Sequence, residues 1–246
     1  MPRRARGDTK GMIFHAMNRA VKRATMFEAS WEYAAFENLL AETKLKVPIG
    51  LLNYCIMPNH WHLILLVLQD GDLSRFMHRL TGTHARRWHV GRGSRGTGAV
   101  YQSRFKSIPV QSDDHLLRVM RYVERNALRA NLVSDAVDWR WSSLWRRRNF
   151  CDTELLDAWP IAQPPDWAAL VNEPQTESEL VAIREAITRS APFGNTEWRE
   201  RTAKMLGLEP SLQPVGRPRR KKNPDVISGE ARLAATEMNP DLILSS

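Results

Sequence analysis

The chain has 246 residues, room for one full domain and a smaller second part, and its 36 Lys and Arg exceed its 27 Asp and Glu to leave a net charge of +9. That balance favours a polyanionic partner such as nucleic acid, although charge alone does not exclude an ordinary basic protein. Two cysteines, Cys55 and Cys151, make no disulfide framework. There is no secretory h-region and no run near the roughly 18 apolar residues of a membrane span, so a cytoplasmic protein without a membrane partner is expected.

Residues 12–19 alternate as a first strand. Ser30 then caps a helical run in which Trp31, Ala34, Ala35, Leu39 and Leu45 recur at near-helical spacing, and Pro48 ends it. Two apolar runs follow, separated by Met57-Pro58-Asn59. Proline fixes its own φ and asparagine tolerates a left-handed backbone, so this is the turn of an antiparallel hairpin. The strand after it begins His60-Trp61-His62. Alternation sends both imidazoles to one face and the indole to the other, and residues 63–68 are apolar enough for a strand buried on both faces. Neighbouring imidazoles can share a metal ion. The plainer alternative is polar-out alternation around an aromatic, and only a partner elsewhere in the chain can decide.

Asp72 opens a second helix with an apolar stripe of Leu73, Phe76, Met77 and Leu80; its histidines, His78, His84 and His89, share no tight spacing and are expected at the surface or on nucleic acid. Residues 91–98, GRGSRGTG, lack the lysine that a phosphate loop needs and are expected as a mobile basic loop. Residues 100–110 read as a fourth strand with Gln102, Arg104 and Lys106 on one face. Ser112, Asp113 and Asp114 cap a third helix expected to run to about Leu132. Strand, helix, two strands, helix, strand, helix is the split βαβ order of a ferredoxin-like antiparallel sheet. The fold class is therefore α+β, with a small helical C-terminal extension.

On the third helix Leu116, Met120, Val123, Ala127 and Ala130 form the packing face, while Arg118, Tyr122, Asn126 and Arg129 turn away from it. Tyr122 and Asn126 lie side by side at i and i+4, the arrangement wanted if a phenol is to reach a substrate and an amide oxygen a metal. The helix pattern by itself favours an exposed tyrosine among solvated charges. Further on, residues 138–148 read as a closing helix, and residues 151–175, with Pro160, Pro164, Pro165 and Pro174, as a linker or wrapping loop. Residues 176–190 and 195–206 read as two short helices, with Gly207 as a C-cap. The basic run at residues 216–222 is either a minor-groove hook or a tail that raises affinity non-specifically. The expected division is a catalytic domain over 1–149, a linker over 150–175, a basic helical extension over 176–222 and a disordered tail over 223–246.

The segments YCIMPNHWHLIL, YQSRFKSIPV and YVERNALRANLV, followed by WRWSSLW and PFGNTEWRERTAKMLGLEPSLQPVGRPRRK, resemble the HUH single-tyrosine transposases, in particular the REP-associated tyrosine transposases. The resemblance implies an HUH nuclease fold with His60 and His62 as the metal-binding pair and Tyr122 as the nucleophile. Asn126 would be the third metal ligand, where the wider insertion-sequence relatives carry glutamine. It also implies magnesium or manganese as cofactor, single-stranded or hairpin DNA as partner, a monomer or homodimer, and a bacterial cytoplasmic setting. The implied reaction is cleavage and rejoining of single-stranded DNA at short palindromic, REP-like hairpins, in DNA transposition and recombination. It would pass through a 5′-phosphotyrosine that leaves a free 3′-OH. Tyrosine, with a free pKa of about 10, needs a Lewis acid and good geometry to attack, and the resulting ester retains the bond energy, so rejoining needs no nucleotide. Arg104, Lys106, Arg118, Arg125, Arg129, Arg217 and Arg219 are the expected grip on DNA, with Trp88 stacking on unpaired bases. Two rival readings stand beside this one: a domesticated hairpin-binding regulator with little cleavage activity, and a structural zinc protein using Cys55 near the histidines.

Overall fold

Strands β1 (Ile13–Arg19), β2 (Gly50–Met57), β3 (His60–Leu66) and β4 (Lys106–Val110) pair antiparallel in the order β2-β3-β1-β4 in the computed structural model, which describes residues 9–149 and 155–213. Helix α1 (Ser30–Lys46) joins β1 to β2, and α2 (Asp72–Gly91) joins β3 to β4. This is the ferredoxin-like α+β order expected from the sequence. The β2–β3 connection is the two-residue turn Pro58-Asn59. The turn is fixed from outside: the Pro58 carbonyl accepts from Met26 and Phe27 N–H at 2.7 and 2.9 Å, and the Asn59 carbonyl accepts from Ala20 N–H at 2.9 Å.

Helices cover both faces of the sheet, which is why β2 and β3 are apolar on both. One core gathers Phe14, Leu63 and Leu65 with Phe36 and Leu40 of α1 and Phe76 and Met77 of α2. Trp61 is fully buried there and donates its indole N–H to the Tyr101 hydroxyl at 3.2 Å. The second core gathers Ile13, Ile64 and Ile108 with Leu116, Met120 and Val123 of α3 (Asp114–Glu124). Trp31 and Leu45, read as part of the apolar stripe of α1, are 65% and 83% exposed, because α1 contacts the sheet through Phe36, Leu39 and Leu40 instead. Ala29 precedes α1 as its N-cap, and the Glu32 carboxylate accepts the Glu28 and Ala29 N–H groups in place of a Ser30 cap.

The fourth strand is shorter than expected. Tyr101 makes only an isolated bridge to Ala20, and the chain then bends through residues 102–105, where the Ser103 carbonyl accepts from the Asn18 side chain at 3.2 Å. Lys106 begins β4, whereas Arg104 lies in the loop before it. The third helix is also divided: α3 ends at Glu124, and α4 (Asn126–Arg129) follows after Arg125. Asp113 caps α3 by accepting His115 N–H at 2.8 Å, as its position in the sequence requires.

Beyond α4, the short helices α5 (Ser143–Asn149) and α6 (Trp167–Asn172) are tied to α3 by one buried carboxylate. Glu124 accepts from Ser143 Oγ at 2.5 Å and from Trp167 Nε1 at 2.6 Å, and burial pushes its carboxyl up to about 7. Helices α7 (Glu177–Arg189) and α8 (Thr196–Leu206) have the bounds their capping residues announce, Gly207 closing α8 at φ 64°. Between them, Phe193 docks on the edge of β4: its N–H reaches the Pro109 carbonyl and its carbonyl accepts Gln111 N–H, both at 2.9 Å. Proline in β4 is tolerated because the strand lies at an edge, and the added segment covers that edge. Gly194 has to be glycine at this contact, since a Cβ would stand 2.5 Å from Gln111 Oε1 and 2.6 Å from Trp198 Cε3. Among the described residues no helix is long and apolar enough to cross a membrane.

Candidate active site

The sheet register builds the site. Antiparallel pairing sets Met17 beside His62 and Arg19 beside His60, so the β3 histidines emerge on the α3 face at the end of the sheet where β1 finishes. Their rings lie 5.0 Å apart at 86°. His60 donates from Nδ1 to Asn59 Oδ1 at 2.6 Å, the only sense an amide oxygen permits, which leaves a lone pair on Nε2. His62 has Nδ1 2.8 Å from Nε2 of His15, a fully buried residue of β1.

Helices α3 and α4 bring the other two groups. Asn126 Nδ2 lies 3.4 Å from His60 Nε2, and the Tyr122 ring meets the His62 ring edge-on at 6.0 Å and 89°. Tyr122 is only 8% exposed rather than displayed on a solvated face. Its ring is buried because the Arg129 guanidinium covers it at 4.2 Å and the sheet histidines close the other side. Arg129 also donates to Asn126 Oδ1 at 3.0 Å and to the Tyr122 carbonyl at 3.3 Å, so one arginine holds both residues. Beside the histidines a cavity of about 260 Å³ is lined by Asn18, Arg19, Gln102, Lys106 and, from α7, Ile187 and Thr188.

The remaining sequence candidates are dispersed. Lys106 lines the cavity and Arg104 is exposed in the adjoining loop. Arg118 lies 3.9 Å from Glu179, and Arg125 donates to the Asn172 carbonyl at 3.0 Å, so both also face the C-terminal helices. Arg217 and Arg219 lie outside the described residues. His84 is not at the surface: it is 7% exposed, with its Nδ1 2.7 Å from the Tyr101 hydroxyl, because its position on α2 faces the first core. Trp88 packs against that core, donates its N–H to Met26 O at 3.0 Å and is stacked by Arg92, which removes it as a platform for bases. Cys55 faces the site's side of the sheet but is fully buried, its thiol driven well above the ordinary range by burial. No group of three or more His, Cys, Asp or Glu suited to a metal occurs among the described residues.

Residues 8–126, which span the sheet, both histidines and the tyrosine helix, match the family model for IS200-like transposases. This match covers 119 of the 246 residues, just under half of the chain. The fold is also met in solved structures. A REP-associated tyrosine transposase bound to a REP hairpin superposes with a TM-score of 0.50 at 16% identity, covering 72% of this chain and 100% of that one. A candidate transposase from Deinococcus radiodurans, also 16% identical, covers 46% of this chain and 88% of its own, with a TM-score of 0.36 that carries no argument. No curated protein matches significantly.

The nitrogen donors of the site are electrically neutral. Burial is the largest cause holding His60 down from 6.5 to about 4, assisted by Arg19 and Arg129, and it takes His62 further below the ordinary range. Two neutral imidazoles fit a divalent cation that takes nitrogen lone pairs, whereas Asn126 turns its Nδ2 toward His60 and its Oδ1 to Arg129, so the amide has to rotate before its oxygen can join them. The same burial makes the protein acid-sensitive. His15 and His84 are each depressed to about 3, so below pH 6.5 the unfolded chain binds protons that the folded chain refuses. Stability is expected to be complete above pH 6.5 and to fall toward pH 4 by about 1.4 kcal/mol per pH unit for each such histidine. Melting curves across that range test this, and His84→Phe should flatten the slope.

Proposed function

We propose that this chain is a metal-dependent single-strand DNA endonuclease and strand transferase that acts at short palindromic hairpins through a covalent tyrosine–DNA intermediate. The observation that carries the reading is the meeting of His60, His62, Tyr122 and Asn126 within one chain, with the Tyr122 ring 6.0 Å from that of His62 and the Asn126 amide 3.4 Å from His60. Support for the substrate comes from the net charge of +9 and from the fold shared with a transposase bound to a REP hairpin. The match of residues 8–126 to the transposase family model and the presence of all four groups favour the enzyme over a domesticated binding protein.

His60 and His62 would hold magnesium or manganese, with Asn126 Oδ1 joining them once the amide turns from Arg129, and the ion would supply Lewis acidity to the scissile phosphate. Lys106 and Arg19, which line the cavity, would hold the flanking phosphates in register. Arg129 fixes the Tyr122 ring, so the hydroxyl meets the phosphorus without a rotamer search. The Tyr122 oxygen forms a bond to phosphorus as the bond from phosphorus to the 3′ oxygen breaks. The phenolic proton passes to solvent, and the departing 3′ oxygen takes one up. Attack by a 3′-OH on the phosphotyrosine reverses these steps and rejoins a strand.

A labelled single-stranded hairpin incubated with Mg²⁺ or Mn²⁺ tests the reaction: a denaturant-resistant protein–DNA adduct and a shortened strand are expected, and hairpin binding without either would favour the domesticated regulator. Because one chain carries both the tyrosine and the histidines at the site, a mixture of Tyr122→Phe and His60→Ala chains is expected to stay inactive. Restored cleavage in the mixture would mean that subunits exchange their tyrosines.

A further inference from the structure

The Nε2 of His15 lies 2.8 Å from His62 Nδ1, and the rings stack at 5.0 Å and 30°. Burial of His15 is complete, and its Nδ1 has no hydrogen-bond partner among the described residues. An unpaired buried nitrogen costs about 1–3 kcal/mol, so its retention calls for a reason. We infer that His15 is a positioning residue that accepts the Nδ1 proton of His62 in a hydrogen bond, and so presents the lone pair of His62 Nε2 to the cation. This rests on the reading of His60 and His62 as cation ligands.

One proton lies between the two rings, and its side decides what His62 can do. If His15 donated, His62 would carry its proton on Nε2 and could not ligate through that atom. If His62 donates, Nε2 is free and the ring is held by a partner that cannot move. His60 follows the same logic with Asn59 Oδ1 as its acceptor, at 2.6 Å. Metal-bound histidines commonly lean on a carboxylate at this position. A neutral ring performs the same orientation without adding negative charge, which keeps the site attractive to a phosphodiester. His15 also reaches the Tyr122 ring, 6.3 Å away at 70°, so the same side chain buttresses the tyrosine.

Long-range ¹⁵N–¹H NMR of the histidine-labelled full chain reads the tautomer directly and needs no variant. His62 protonated on Nδ1 is expected; His62 protonated on Nε2 overturns the inference. Free Mn²⁺ measured by electron paramagnetic resonance then gives affinity. His15→Phe, similar in volume but unable to accept, should weaken Mn²⁺ binding about 10–100-fold, with a melting temperature unchanged or raised as the unpaired nitrogen is removed. His15→Gln, whose amide oxygen can accept the same proton, should recover most of the affinity. A purely packing role would instead lower the melting temperature and leave tautomer and affinity untouched. Unchanged affinity in His15→Phe overturns the inference alone, whereas failure of the wild-type chain to bind Mn²⁺ would remove the cation site itself.

Discussion

Replacing Tyr122 by phenylalanine is expected to eliminate the covalent adduct and to lower hairpin cleavage by at least about 10³-fold, since no other group replaces a lost nucleophile. The fold should not notice. The Tyr122 ring is held by Arg129 at 4.2 Å and by the edge of His62, contacts a phenyl ring keeps, and its hydroxyl has no hydrogen-bond partner among the described residues. Tyr101→Phe is the contrasting control. The Tyr101 hydroxyl serves both Trp61 and His84 in the first core, so its removal should cost about 1–3 kcal/mol of stability and leave adduct formation intact. Denaturation curves and adduct gels on the two variants separate an oxygen used in chemistry from one used in packing.

The second large effect is expected at His60. Removing its imidazole takes away one of the two neutral nitrogens of the donor set, and His60→Ala should reduce both Mn²⁺ affinity and cleavage by about 10²–10³-fold, since a phosphodiester is attacked slowly without a Lewis acid. Hairpin binding should change only a few-fold, because the exposed basic groups, Arg104 and Lys106 among them, are untouched. His60 is partly exposed and sits at the beginning of β3, so truncation there leaves the core sheet intact. Loss of hairpin binding in step with cleavage would assign His60 to DNA contact and away from metal ligation.

The features legible in the sequence were those set by local periodicity. Strand alternation placed His60 and His62 on one face and Trp61 on the other, and the Pro58-Asn59 turn fixed the register that keeps them there. Spacing of i, i+4 set Tyr122 beside Asn126. Capping chemistry gave α7 and α8. Other features depend on which element lies next to which, and a one-dimensional pattern does not carry that. Tyr122 is off the apolar stripe of α3 yet buried, because Arg129 folds over it. The sequence pattern leaves His84 and Trp88 free to bind nucleic acid, because it does not show which face of α2 meets the sheet. His15 carries no distinguishing signal in a strand of apolar alternation. Its place on the same face as Ile13 and Met17 was readable, but its partnership with His62 requires that β1 be the neighbour of β3. The bend at residues 102–105 follows from the Asn18–Ser103 hydrogen bond, a contact between distant parts of the chain.

The most direct test is to trap the adduct formed from a hairpin and Mn²⁺, digest it with protease and nuclease, and locate the nucleotide by mass spectrometry. The expected result is a single modified peptide with a 5′-linked phosphate on Tyr122, accompanied by release of a free 3′-OH. A nucleotide attached to any other residue, or cleavage that leaves the protein unmodified, would contradict the assignment of Tyr122 as the nucleophile.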